Sequence, residues 1–265
     1  AVFSNLTQDH LDYHGNMDDY FAAKRRLFEL METQEGNKKT TAVIHLEDAY
    51  GQKLVEEFKE RLYILTYGRG VHADLRIGHE KQTVRGTEFQ ITYKGKDHLV
   101  RTPYIGKFNI TNCTAALAAS IAAGVPVRDA VRALADAPQV PGRMENVGSR
   151  DGATVFVDYA HTPAALETAL QALRPFAKER LISVFGCGGD RDKGKRGPMG
   201  AAAVKNSDIA VLTDDNPRTE DPATIRAEVL ADNPSLVQVA GRGDAIQHAI
   251  SLLGPGDVLL VAGKG

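Results

Sequence analysis

The rhythm of apolar and polar positions changes about halfway along the chain. In the second half short apolar runs at 153–157, 181–185, 209–212, 236–239 and 257–262 alternate with helical patterns at 163–174, 198–205, 222–231 and 243–252. Strands separated by single helices require right-handed crossovers and a largely parallel sheet, so this half predicts a Rossmann-like α/β domain. The first half is more mixed. It predicts strands at 41–46, 63–67, 73–77 and 87–93 and helices at 17–31, 50–62, 111–123 and 127–135. Pro138 and Pro141 bracket a linker between the two textures, which places the expected domains at 1–141 and 142–265.

One position breaks the helical pattern. The apolar face of helix 17–31 is Tyr20, Leu27 and Met31, with Phe21 and Phe28 alongside, and Lys24 falls on that stripe. Such a lysine either snorkels from the edge of the stripe or is half-buried and drawn toward the preceding cluster of Asp9, His10, Asp12 and His14.

Three of the second-half strands end in loaded polar loops. These are Asp158-Tyr-Ala-His-Thr-Pro163, Gly186-Cys-Gly-Gly-Asp-Arg-Asp-Lys-Gly-Lys-Arg196 and Asp214-Asp-Asn-Pro-Arg218. Parallel strands point the same way, so the loops share one sheet edge, the edge where open α/β sheets bind ligands. The glycines at 186, 188 and 189 let backbone amides approach an anion, and Arg191, Lys193 and Lys195 add charge. The dinucleotide fingerprint does not fit, because the glycine spacing is wrong and the loop follows the second strand. Pro217 has no N–H and holds Asn216 extended, so strand and helix both stop there. Asp215 and Arg218 can then take a ligand's ammonium and carboxylate. The alternative is an ordinary polar turn opened by an Asx-Pro pair.

Composition narrows the partners. With 43% apolar and 25% charged residues in 265, the chain has a globular profile, and a net charge of −2 gives no footprint for nucleic acid or an acidic membrane. Cys113 and Cys187 stand far apart without metal spacing, which fits a reducing, cytoplasmic setting. No apolar run approaches the ~20 residues of a membrane span. The start at Ala1 in an apolar turn and the stop at Gly265 after an apolar strand read as cut ends.

Five blocks, taken in order, resemble the Mur ligases. They are Asn5-Leu-Thr-Gln-Asp-His-Leu-Asp-Tyr-His-Gly15, Gly142-Arg-Met-Glu145, Val157 to Pro163, Gly186 to Arg196 and Asp215-Asn-Pro-Arg218. Within that family they look most like the members that add the third peptide residue to UDP-N-acetylmuramoyl-L-Ala-D-Glu. The resemblance implies the end of a central ATPase domain followed by a Rossmann-like C-terminal domain. It also implies an ATP-dependent acid–amino-acid ligase that works through an acyl phosphate in cytoplasmic peptidoglycan precursor synthesis, as a monomer.

Residue roles follow from the same resemblance. Lys24 matches a lysine that is carbamylated and ligates Mg²⁺, and a partly desolvated lysine would favour the neutral amine that reacts with carbon dioxide. His10 matches a ligand of a second Mg²⁺. Asn109 and Asn112 match asparagines near the adenine of ATP, and Arg143 and Asp158 match residues touching ATP. Asp215, Asn216, Pro217, Arg218, Arg191 and Gly263 match the pocket for the incoming amino acid. Members with Asp-Asn-Pro-Arg take meso-diaminopimelate, whose second carboxylate can pair with two guanidiniums. Several departures temper this. The 265 residues contain no Gly-x-x-Gly-Lys-Thr phosphate loop, no UDP-sugar domain and no His-Glu after Ala262-Gly-Lys-Gly265. This chain by itself is therefore expected to turn over no ATP. Gly197-Pro198-Met199 also replaces a proline that usually follows the arginine directly, an expected shift in the start of that helix. Two other readings compete: a non-catalytic amino-acid-binding fragment, and a folate- or cyanophycin-type relative, against which the Asp-Asn-Pro-Arg turn argues.

Overall fold

A computed structural model describes residues 1–7, 11–33 and 40–263, which divide into two compact units. The first holds Ala1–Gln82, Gly86–Pro103 and Lys107–Ala137, and the second holds the remainder of the described chain.

In the first unit β1 (Val2–Phe3) leads through α1 (Leu11–His14) to α2 (Met17–Glu32), β2 (Thr41–His45), α3 (Ala49–Phe58) and β3 (Tyr63–Gly68). Then come β4 (Leu75–Thr83), β5 (Gly86–Tyr93), β6 (Lys96–Thr102), α4 (Lys107–Ala122) and α5 (Val127–Ala135). The sheet runs in the order β1-β2-β3-β4-β5-β6, parallel from β1 to β4 and closed by an antiparallel β5–β6 hairpin. Side chains set the helix starts. Asn16 accepts the Asp19 amide to cap α2, and Asp48 accepts those of Tyr50 and Gly51 to cap α3. Phe3, Tyr20, Phe28, Met31, Ile44, Leu54 and Phe58 form the core beneath α2 and α3. β6 was missing from the sequence expectation because it is mostly polar, with only Val100 and Thr102 buried. Its hairpin is turned at Lys94-Gly95, both at positive φ, as a two-residue turn between twisted strands requires.

The second unit is wound more regularly. It comprises β7 (Glu145–Arg150), β8 (Ala153–Asp158), α6 (Pro163–Leu173), β9 (Leu181–Phe185) and α7 (Arg196–Asn206). β10 (Ile209–Leu212), α8 (Pro222–Ala231), β11 (Val237–Gln238), α9 (Arg242–Ser251) and β12 (Val258–Ala262) complete it. The order is β11-β10-β9-β12-β8-β7, parallel except for β7. Every residue of β9 and β12 is buried, the mark of strands covered on both faces. Ile182, Val184, Val211, Leu259 and Val261 pack with Ala245 and Ala249 of α9. The antiparallel edge strand β7 escaped the sequence reading, since an exposed, bulged edge needs no apolar alternation. Helix α7 starts at Arg196, two residues ahead of the expected 198, so Pro198 sits in its first turn, where a missing N–H costs nothing.

Candidate functional site

β9 and β10 are neighbours, so the Gly-rich loop and the Asp-Asn-Pro-Arg turn leave the sheet side by side. They approach until the Gly189 amide donates to Asn216 O at 2.9 Å. The approach demands glycine, because a Cβ at 189 would stand 1.9 Å from the Pro217 carbonyl oxygen. Arg218 Nη1 donates back to Gly189 O at 2.6 Å, which leaves the other N–H groups of its exposed guanidinium for a ligand. Asp190 and Arg218 both adopt φ +51, a left-handed conformation that costs a non-glycine residue about 1 kcal/mol. Two such residues facing one another across a pair of loops are held there by bonds around them.

Those bonds converge on Glu220. Its Oε1 accepts from the Asp190 amide at 2.6 Å and from Arg196 Nη2 at 2.8 Å, and Lys193 Nζ lies 3.3 Å from Oε2. The Arg196 bond leads in depressing the Glu220 carboxyl to about 2. Arg196 is almost wholly buried and spends its other arm on Glu228 at 2.5 Å. Asp190 in turn accepts from the amide and hydroxyl of Thr219. Asp214 forms an ion pair with buried Arg226, while the half-buried Asp215 makes no ion pair or hydrogen bond to a described residue and feels the charge of Arg242. Arg191 is exposed on the following loop, and no hydrogen bond or ion pair ties its guanidinium to another described residue. Burial pushes the Cys187 thiol up to about 11, which makes it a packing group in the loop and no nucleophile.

The third strand-end loop joins through β12, which lies between β8 and β9. Gly263 follows β12 at φ +98, and a Cβ there would lie 3.2 Å from Asp215 Oδ2 and 3.8 Å from Ala160 O. Its amide donates to Asp158 O. The Asp158 carboxylate accepts the Met144 and Ala160 amides, both at 2.8 Å, yet burial still raises its pKa. The Arg143 guanidinium stacks over the Tyr159 ring at 4.8 Å. Thus Asp158, Arg143, Gly263, Asp215, Asn216, Pro217, Arg218 and Arg191 all belong to the second unit, at or beside the C-terminal edge of its sheet.

The first unit departs further from expectation. Lys24 is exposed, with its ammonium 5.2 Å from the centroid of the Tyr20 ring, so the partial desolvation expected of it is absent. The buried face of α2 is Tyr20, Phe28 and Met31, and Leu27 is half-exposed, which moves the stripe away from Lys24. His10 lies outside the described residues. Asn109 and Asn112 stand three residues apart on α4, half-buried and exposed respectively. Among the described residues no three His, Cys, Asp or Glu side chains gather as a metal site.

Residues 1–120 match the Mur ligase middle domain, and residues 142–265 match the Mur ligase, glutamate ligase domain. The chain belongs to the Mur ligase family. The UDP-N-acetylmuramoyl-L-alanyl-D-glutamate–2,6-diaminopimelate ligases of Agrobacterium fabrum and Synechococcus elongatus are 44% and 45% identical to it. Each matches 100% of this chain, which covers 54% and 53% of them. A solved ligase of the same name is 35% identical, with a TM-score of 0.67 over 100% of this chain and 54% of its own. Mycobacterium tuberculosis folylpolyglutamate synthase, at 24% identity, shares the fold with a TM-score of 0.78 over 99% of this chain and 60% of its own. The Mur ligase chain thus spans about half the length of the curated relatives it matches.

Sequence reasoning missed several residues that build this cluster: Arg196, Glu220, Arg226 and half-buried Arg242, which donates to Ala262 O. A signal existed for two of them. Arg196 stands three and four residues before buried Met199 and Gly200, and Arg226 three before buried Val229. A cation set in an apolar helical register is the same irregularity that singled out Lys24.

Proposed function

We propose that the chain supplies the amino-acid-selecting part, and residues serving ATP and Mg²⁺, of a ligase that joins meso-diaminopimelate to UDP-N-acetylmuramoyl-L-Ala-D-Glu in the cytoplasm. The observation that carries this is the paired loop system, which leaves Arg218, Arg191 and Asp215 outside any ion pair while Asp190, Lys193, Arg196, Asp214 and Glu220 are bonded within it. Asp215 accepts the ammonium of the incoming diamino acid, and Arg218 with Arg191 pairs with its second carboxylate. L-Lysine lacks that carboxylate and forgoes the pairing, which is what separates the two substrates. Asn216, Pro217 and Gly263 shape the walls of the same pocket.

In the reaction the D-Glu carboxylate attacks the γ-phosphorus of ATP, giving an acyl phosphate and ADP. The amine of the diamino acid then attacks the acyl carbon and expels phosphate. On the family resemblance Asn109 and Asn112 are the residues for the adenine, and Arg143 and Asp158 are residues for ATP. Lys24 as a carbamate, together with His10, would hold Mg²⁺, and the exposed amine of Lys24 is open to carbon dioxide from solvent. When bound, the metal neutralises charge on the transferring phosphoryl group. Residues 1–265 contain no phosphate loop, so on their own they complete no turnover.

The test is ligation by the full-length protein with each diamino acid, read by product mass. Product with meso-diaminopimelate and little with L-lysine supports the reading, and equal use of both overturns it. Phosphate release by residues 1–265 alone would overturn the statement about the isolated chain.

A further inference from the structure

We propose that Glu220 is a positioning residue for amino-acid selection, holding the Gly186–Asp190 loop and the Asp214–Arg218 turn in the register from which Arg191 and Arg218 are presented. The inference rests on reading that turn as the amino-acid pocket.

The tie is reciprocal. Glu220 Oε1 accepts the Asp190 amide, and Asp190 accepts the amide and hydroxyl of Thr219, so each loop bonds the other at adjacent positions. Asp190 directly precedes Arg191, and Thr219 directly follows Arg218. The knot therefore sits one residue from each guanidinium-bearing backbone. Arg196, rooted on α7, donates to the same Oε1 and anchors the knot to the body of the domain. Glu220 also packs against the closest approach of the two loops, since a Cβ at Gly189 would come within 3.2 Å of its Cβ. Glutamine at 220 would keep the shape and turn an amide nitrogen or a weaker acceptor toward three donors. The left-handed residues Asp190 and Arg218 would then lose the restraint that holds them.

A residue that only stabilises the fold would lower the melting point and leave selection alone. A positioning residue changes selection. In the full-length enzyme Glu220→Gln is expected to raise KM for meso-diaminopimelate about tenfold, leave kcat within about twofold and leave use of L-lysine as it was. The preference between the two amino acids narrows by the same factor. Thr219→Ala removes the hydroxyl part of the tie, leaves the amide part, and is expected to narrow the preference about threefold. Glu228→Gln weakens Arg196's other pairing and leaves every bond between the two loops in place; it is expected to lower the melting point and keep the full preference. A normal preference in folded Glu220→Gln, or in Thr219→Ala, overturns the proposal. If the unsubstituted enzyme shows no preference at all, the pocket reading itself fails and the positioning role falls with it.

Discussion

The paired loops of the second unit and the Lys24 face of the first treat their functional side chains in opposite ways. Around Arg218 the fold has closed a network: Gly189, Asn216, Asp190, Thr219, Glu220 and Arg196 are bonded to one another. What it leaves open is Arg218, Arg191 and Asp215, the groups that the proposed reading matches to an amino acid with an extra carboxylate. Lys24 stands on an exposed helix face with its ammonium over the Tyr20 ring. A selective pocket must be rigid before its ligand arrives, since mobile guanidiniums would adapt to lysine as readily. On the proposed reading Lys24 first reacts with carbon dioxide, and such a lysine gains from being reachable. Preorganisation and accessibility are two solutions to two tasks.

Lys24 gives the largest expected effect. Lys24→Ala in the full-length enzyme should lower kcat about a thousandfold, the scale of losing a metal's charge stabilisation. The same change should move the stability of the exposed helix face by less than about 0.5 kcal/mol. Paired turnover and urea-unfolding measurements check both halves. A large loss of stability would show that Lys24 is a structural residue after all.

Gly189→Ala attacks the other region. Its new methyl meets a backbone oxygen that cannot swing aside, so the two loops must separate, at a cost of about 3 kcal/mol in urea unfolding. An unchanged midpoint would mean that the loops are not rigid. The smallest effect is one of pH. Because the folded Glu220 carboxyl titrates at about 2 against 4.5 for an ordinary glutamate, its stabilisation is complete above 4.5 and is lost as pH falls toward 2. The stability gap between the unsubstituted chain and Glu220→Gln should accordingly be constant near neutral pH and close over that acidic window. A gap that persists at the acid end would detach it from ionisation of Glu220.

Much of this was legible before the structure. The parallel sheet of the second unit follows from five apolar runs and four amphipathic stretches, and the shared loop edge follows from parallelism. β6 and β7 were hidden because edge and hairpin strands bury few side chains and carry little periodicity. At the site the exposed and glycine residues could be read from motifs, while the scaffold could not. Glu220 looks like any acidic residue before a helix, and its role arises only when the Asp190 amide arrives from 30 positions away. For Lys24 the error was one of helix phase: α2 turns so that Phe28 is buried in place of Leu27, and the lysine is carried out with it.

On the proposed reading the loop system selects an amino acid by its second carboxylate. The most direct test is the ratio of kcat/KM for meso-diaminopimelate to that for L-lysine, measured in the full-length enzyme and in Arg218→Ala. One charge-assisted pair is worth about 1.5–3 kcal/mol, so the ratio should fall about 10- to 100-fold, and by loss of meso-diaminopimelate use alone. A ratio that survives Arg218→Ala, or falls because both substrates weaken equally, would contradict the account.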